Sequence, residues 1–181
     1  MSTFIALLRG VNVGKAKRVP MAEFRALLVG LGYSNVATLL NSGNAVFGAT
    51  GSSAKGHAAD IASAIASRLK IDVPVIVKSA KELSAIVADN PIKAEESLHS
   101  RLLVAFGQDS RAIASLIAIE SYVVPPEQFS AGKHAAYLLC ANGLLESKAG
   151  AALLGKAGQS ATTRNWATTL KLHAMAREVG S

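Results

Sequence analysis

Four cations and two glycines crowd into one short stretch of this chain. Arg9-Gly10-Val11-Asn12-Val13-Gly14-Lys15-Ala16-Lys17-Arg18 follows the apolar run Thr3 to Leu8, and Pro20 comes soon after. Glycine lets backbone N–H groups turn toward an anion, and Arg and Lys add charge, so the chemistry on offer is recognition of phosphate or carboxylate. Asn12 adds a side-chain donor and acceptor. A second polar cluster, Asn41-Ser42-Gly43-Asn44, sets a hydroxyl and two amides in one turn. A third, Arg164-Asn165-Trp166, puts a cation and an amide beside the only Trp of the chain. That indole can stack on a base or ring, or simply anchor a helix to a sheet.

Catalytic and metal chemistry is poorly supported by the same inspection. The first loop is no Walker motif: three residues, not four, separate Gly10 from the Gly14-Lys15 pair, and Ala16 stands where a hydroxyl should meet magnesium. A helix opened by Pro20 also begins too late to touch a phosphate held at Gly14. Ser42 has no His or Lys in local register, so it reads as a turn residue rather than a nucleophile. Ser52 and Lys55 match Ser-x-x-Lys without the partner motifs, in a low-complexity stretch. His57, His99, His134 and His173 are not spaced as metal ligands, and Glu95-Glu96 sits in a polar linker. No cofactor motif is present.

Composition narrows the class of protein. Of 181 residues, half are hydrophobic and 17% are charged, which calls for a folded core rather than disorder. Nineteen Lys and Arg against twelve Asp and Glu give a formal charge of +7, favouring anionic partners. The charges are spread along the chain, so a basic surface with no polyanion partner is the competing reading. The single cysteine, Cys140, lies in an apolar run and reads as a buried, inert thiol in a reducing compartment. The first residues do not form a signal peptide, and no apolar stretch approaches the ~18 residues that span a bilayer. A soluble, cytoplasmic protein with no membrane partner is expected; the oligomeric state is left open.

The elements that must position these residues follow from hydrophobic period. Phe4 to Leu8 is apolar on both faces, which marks a central strand. Met21, Phe24, Leu28 and Leu31 recur at helical spacing after Pro20. Segments 36–40 and 45–47 flank the Asn41–Asn44 turn as a hairpin. Ala58, Ile61, Ile65 and Leu69 form a helical stripe, and residues 73–77 a strand. Ser79 and Glu82 stand at capping-box spacing before a further helix that stops at Asp89-Asn90-Pro91. Residues 1–90 thus read as a βαββαβ(α) half of split βαβ, ferredoxin-like type.

Residues 91–181 read as a related βαββα half. Its strands are expected at 101–106, 122–124 and 135–140, with Asp109 capping the intervening helix. Further helices are expected from Leu144 and from Thr163, the latter capped by Thr162 or Thr163. The fold class is therefore α+β, two ferredoxin-like halves packed together.

The run Phe4 to Gly14 followed by Pro20-Met21, the Ser42-Gly43-Asn44 turn before Val46-Phe47, and Thr162-Thr163-Arg164-Asn165-Trp166 with Leu170-Lys171-Leu172 resemble the bacterial domain-of-unknown-function family 1697. The resemblance covers essentially the whole chain. It implies a compact α+β protein of two related halves and carries no activity with it.

The function expected from these residues is non-catalytic binding of an anionic ligand, either nucleic acid or a phosphorylated small molecule. The binding face would comprise Arg9, Asn12, Lys15, Lys17 and Arg18, with Asn41, Ser42 and Asn44 adjacent and Arg164, Asn165 and Trp166 joining them. The alternative is an enzyme acting on a small polar anionic substrate in a cleft between the halves, which lacks a matched acid–base pair.

Overall fold

A computed structural model describes every residue of the chain but Ala16 and Ser52. The Ser52–Lys55 spacing therefore falls outside the described residues. The chain divides into two compact units, Met1–Leu83 with Leu172–Ser181, and Ser84–Lys171.

In the first unit β1 (Ser2–Leu8), α1 (Met21–Gly30), β2 (Ser34–Leu39), β3 (Asn44–Ala49), α2 (Ala54–Leu69) and β4 (Val75–Ser79) follow in order. The sheet runs β2-β3-β1-β4, antiparallel throughout. β1 is central, as its two-faced apolarity requires. Its Phe4, Ala6 and Leu8 join Phe24, Leu27 and Leu28 of α1 and Ala58, Ile61 and Ile65 of α2 in one hydrophobic core. β4 passes directly into α3 (Ala80–Ala88). The capping box forms: Ser79 N donates to Glu82 Oε2 at 2.8 Å, and Glu82 N donates to Ser79 Oγ at 3.2 Å.

The second unit repeats this plan. Its elements are β5 (Leu102–Gly107), α4 (Ser110–Ser115), β6 (Gln128–Ala131), β7 (Ala135–Leu139), α5 (Lys148–Leu154) and β8 (Ala161–Asn165), with α6 (Trp166–Val179) following at once. Its sheet order, β6-β7-β5-β8, is the first sheet's order element for element. The chain is an α+β protein of two halves sharing the split βαβ topology. Asp109 caps α4 as expected, accepting from Ala112 N at 3.0 Å.

Three elements of the second half differ from expectation. Residues 122–124 form no strand, because buried Leu116 and Ile119 prolong α4 as a 3-10 segment through Tyr122, and the strand that pairs with β7 begins at Gln128. The helix expected from Leu144 is broken in two: a 3-10 turn at Leu144–Glu146, then α5 from Lys148, where Ser147 Oγ accepts from Gly150 N at 2.8 Å. The segment read as a helix start at Thr162-Thr163 is β8. Its two threonines and Arg164 pair with Phe106, Ala105 and Val104 of β5, and β-branched residues suit such a pleated, half-buried position. Asn165 caps α6 instead, its Oδ1 accepting from Thr168 N at 2.9 Å. Among the described residues no helix is long and apolar enough to cross a membrane.

Candidate functional site

The basic loop of the first unit is a closed structure rather than a floppy tether. Leu8 N donates to Gly43 O at 2.8 Å and Arg9 N to Pro74 O at 3.0 Å, so its start is held by the hairpin turn and by the residue before β4. Asn12 then reverses the chain in the left-handed region, φ 57°. An amide side chain tolerates that conformation better than most. Its Nδ2 donates to Val19 O and to Asn41 O, each at 2.7 Å, while Oδ1 accepts from Val19 N at 2.8 Å. Asn12 N donates to Lys17 O at 2.8 Å. One residue thus closes the loop on itself and ties it to the Asn41–Asn44 turn. Val11 and Val19, both buried, plant its two ends in the core.

This closure shapes an open recess of about 250 Å³ lined by Asn12, Arg18, Val19, Pro20, Met21 and Asn41. Arg18 is exposed and donates from Nη2 to Gly14 O at 3.0 Å. That bond orients a guanidinium carrying five N–H donors. Pro20 and Met21 are the start of α1, and the cap residue Pro20 makes no side-chain hydrogen bond to it. First-turn N–H groups of a helix have no intrahelical acceptor, and its dipole favours negative charge there. The recess therefore sits at the helix start, not at Gly14.

The remaining residues of the expected face are distributed as follows. Lys15 and Lys17 are exposed, and Lys17 Nζ donates to Asp72 O. Arg9 is half-buried, and burial pushes its guanidinium below the ordinary arginine value. Asn44 is buried, with Nδ2 donating to Leu39 O and Ser42 Oγ, both at 2.9 Å, which fixes the hairpin turn. Arg164, Asn165 and Trp166 belong to the second unit. Burial pushes Arg164 down to about 10, which still leaves it charged at neutral pH, and its Nη1 donates to Thr162 Oγ1 and Thr163 O at 2.8 Å. Trp166 is half-buried and donates its backbone N–H to His99 O at 3.2 Å.

The structure thus brings Asn12, Arg18 and Asn41 together in one recess. Reasoning from sequence missed its apolar wall of Val19, Pro20 and Met21. Pro20 at a helix start was the available signal. Among the described residues no cluster of His, Cys, Asp or Glu could hold a metal ion.

Residues 1–137, which span the loop, the hairpin and both central strands, match the family model described as "Protein of unknown function (DUF1697)". The chain belongs to the DUF1697 family. This DUF1697 protein is also similar in structure to the conserved bacterial protein SP0830 from Streptococcus pneumoniae. The TM-score is 0.81 at 24% identity, over 97% of this chain and 98% of that one. The likeness is one of fold. No curated protein matches the chain.

Proposed function

We propose that this DUF1697 protein is a non-catalytic module that binds phosphate-bearing ligands through the loop between β1 and α1. One observation carries the reading. Two units of the same topology join their first strand to their first helix very differently: the second uses two residues, Gln108 and Asp109, while the first uses twelve, Arg9 to Pro20. The fold does not need those extra residues, and long ordered loops on a rigid sheet are where binding function concentrates. The insertion carries the cations, ends at a helix start and frames the recess.

The phosphate can belong to a small molecule or to a nucleic acid. The recess lies below the usual range for drug-sized ligands and matches a phosphate group with little else attached. For nucleic acid, exposed Lys15, Lys17 and Arg18 would add contacts along the backbone. A cytoplasmic setting is part of the reading, supported by the buried thiol of Cys140.

Calorimetry with pyrophosphate and anisotropy with a labelled DNA duplex test it. A small-molecule site gives a saturable one-to-one isotherm that Arg18→Ala abolishes. Duplex binding through three cations gives a log K against log salt slope of about −2.7, from 0.9 per phosphate contact, flattened when all three become Ala. Absence of binding to both probes at low salt sinks the proposal.

A further inference from the structure

His57 is a buried titratable group that the anion site leaves unused. It stands in the first turn of α2, whose amino end is capped by Ser53 Oγ accepting from Gly56 N at 3.1 Å. Only 2% of the residue is exposed. Phe4 of β1, Tyr33 just before β2 and Phe47 of β3 pack edge-on around its ring, with centroids 4.7, 5.1 and 5.8 Å away. Nδ1 lies 2.9 Å from the Tyr33 hydroxyl. Nε2 is buried and, among the described residues, has no hydrogen-bond partner.

We propose that His57 is an acid-sensitive latch: as a neutral imidazole it holds the amino end of α2 against the sheet of the first unit, and protonation releases it. An imidazolium has two N–H donors and needs two acceptors. Tyr33 can serve one, while the other would remain unmet in an aromatic box, at the cost of desolvating a charge. The groups facing the ring bear this out. β1 and β3 present the phenyl rings of Phe4 and Phe47 to it. Burial, with Asp60 assisting, pushes the Tyr33 phenol up to about 12, so it remains a neutral hydroxyl. Asp60, three residues along α2, favours the imidazolium, but burial outweighs it and the His57 value falls below 6.5.

The unfolded segment therefore takes up a proton before the folded one does. Stability present above pH 6.5 is lost as pH falls from there through the folded value, and levels off below it. Within that window each pH unit corresponds to a tenfold change in the opening equilibrium.

Imidazole NMR and amide hydrogen exchange on the full chain test the latch. His57 is expected to keep the shifts of a largely neutral ring at pH 6.5, where an ordinary imidazole is half-protonated. Protection factors of residues 54–61 are expected to fall several-fold to tenfold per unit between pH 6.5 and 5, beyond any change in α4. His57→Phe, which fills the box without a titratable group, is expected to remove that pH dependence. Titration of His57 at or above 6.5, as would follow if the rings and Asp60 stabilise the cation, overturns the proposal. So does protection of residues 54–61 that is the same at both pH values. Should His57→Phe not fold, the titration and exchange of the unaltered protein still decide.

Discussion

Lys78 and Arg164 stand at the same place in the two repeats. Each is the next-to-last residue of a fourth strand, paired across from the first strand at Ile5 and at Val104 respectively, and two residues beyond each a helix begins. Both are buried, at 2% and 8% exposure. The start of a helix is the positive end of its dipole, so two buried cations placed there need compensation. Lys78 has Glu82 at 3.6 Å, and Arg164 donates to Thr162 and Thr163.

This pairing sets an order of stabilities. Glu82→Gln removes a carboxylate 3.6 Å from the buried Lys78 ammonium and should cost about 3 kcal/mol, whereas Lys78→Met removes the charge and keeps the stem, costing less. Arg164→Ala should likewise cost about 3 kcal/mol through a cavity and lost bonds, and Arg164→Met less than that. Urea unfolding midpoints of the four variants check this. Glu82→Gln as mild as Lys78→Met would mean that the ion pair does not compensate the buried charge.

Asn12 should matter for loop shape rather than through its own contact with ligand. Asn12→Gly keeps the left-handed backbone and loses three hydrogen bonds, for roughly 1–3 kcal/mol. Asn12→Ala loses the same bonds and strains φ 57° as well, so it should be about 1 kcal/mol worse. Thermal unfolding ranks the two, and equal melting temperatures would contradict the strain argument.

Gly43 closes the hairpin turn under two constraints at once. Its φ is +82°, and a Cβ there would lie 2.6 Å from Leu8 Cβ and 2.9 Å from Val11 Cγ2. Gly43→Ala should therefore cost about 3 kcal/mol and displace the Leu8 and Val11 ends of the basic loop. Chemical-shift changes spreading from residue 43 into residues 8–12 are the expected signature. Changes confined to the turn would show that the hairpin does not support the loop.

Several features were readable because their causes are local. Phe4 to Leu8 and Leu102 to Phe106 are apolar at every position, which suits only strands covered on both faces. Ser79 with Glu82, and Asp109 with Ala112 N, are caps whose donors and acceptors lie three residues apart. β8 was not readable in this way. Thr162-Thr163-Arg164-Asn165 offers cap residues before a helix, and only the ladder with β5 decides that Asn165 alone is the cap.

What the sequence alone determined is the α+β class, the two-half plan and the location of the basic insertion, since period, caps and composition act over a few residues. Tertiary structure decided which polar groups face inward. Asn12 turns back onto Val19 and Asn41, His57 enters a box built from β1, β3 and Tyr33, and Arg164 is buried beside β5. The reason is physical: a side chain's surroundings are set by residues tens of positions away, and no local pattern states which of them will arrive.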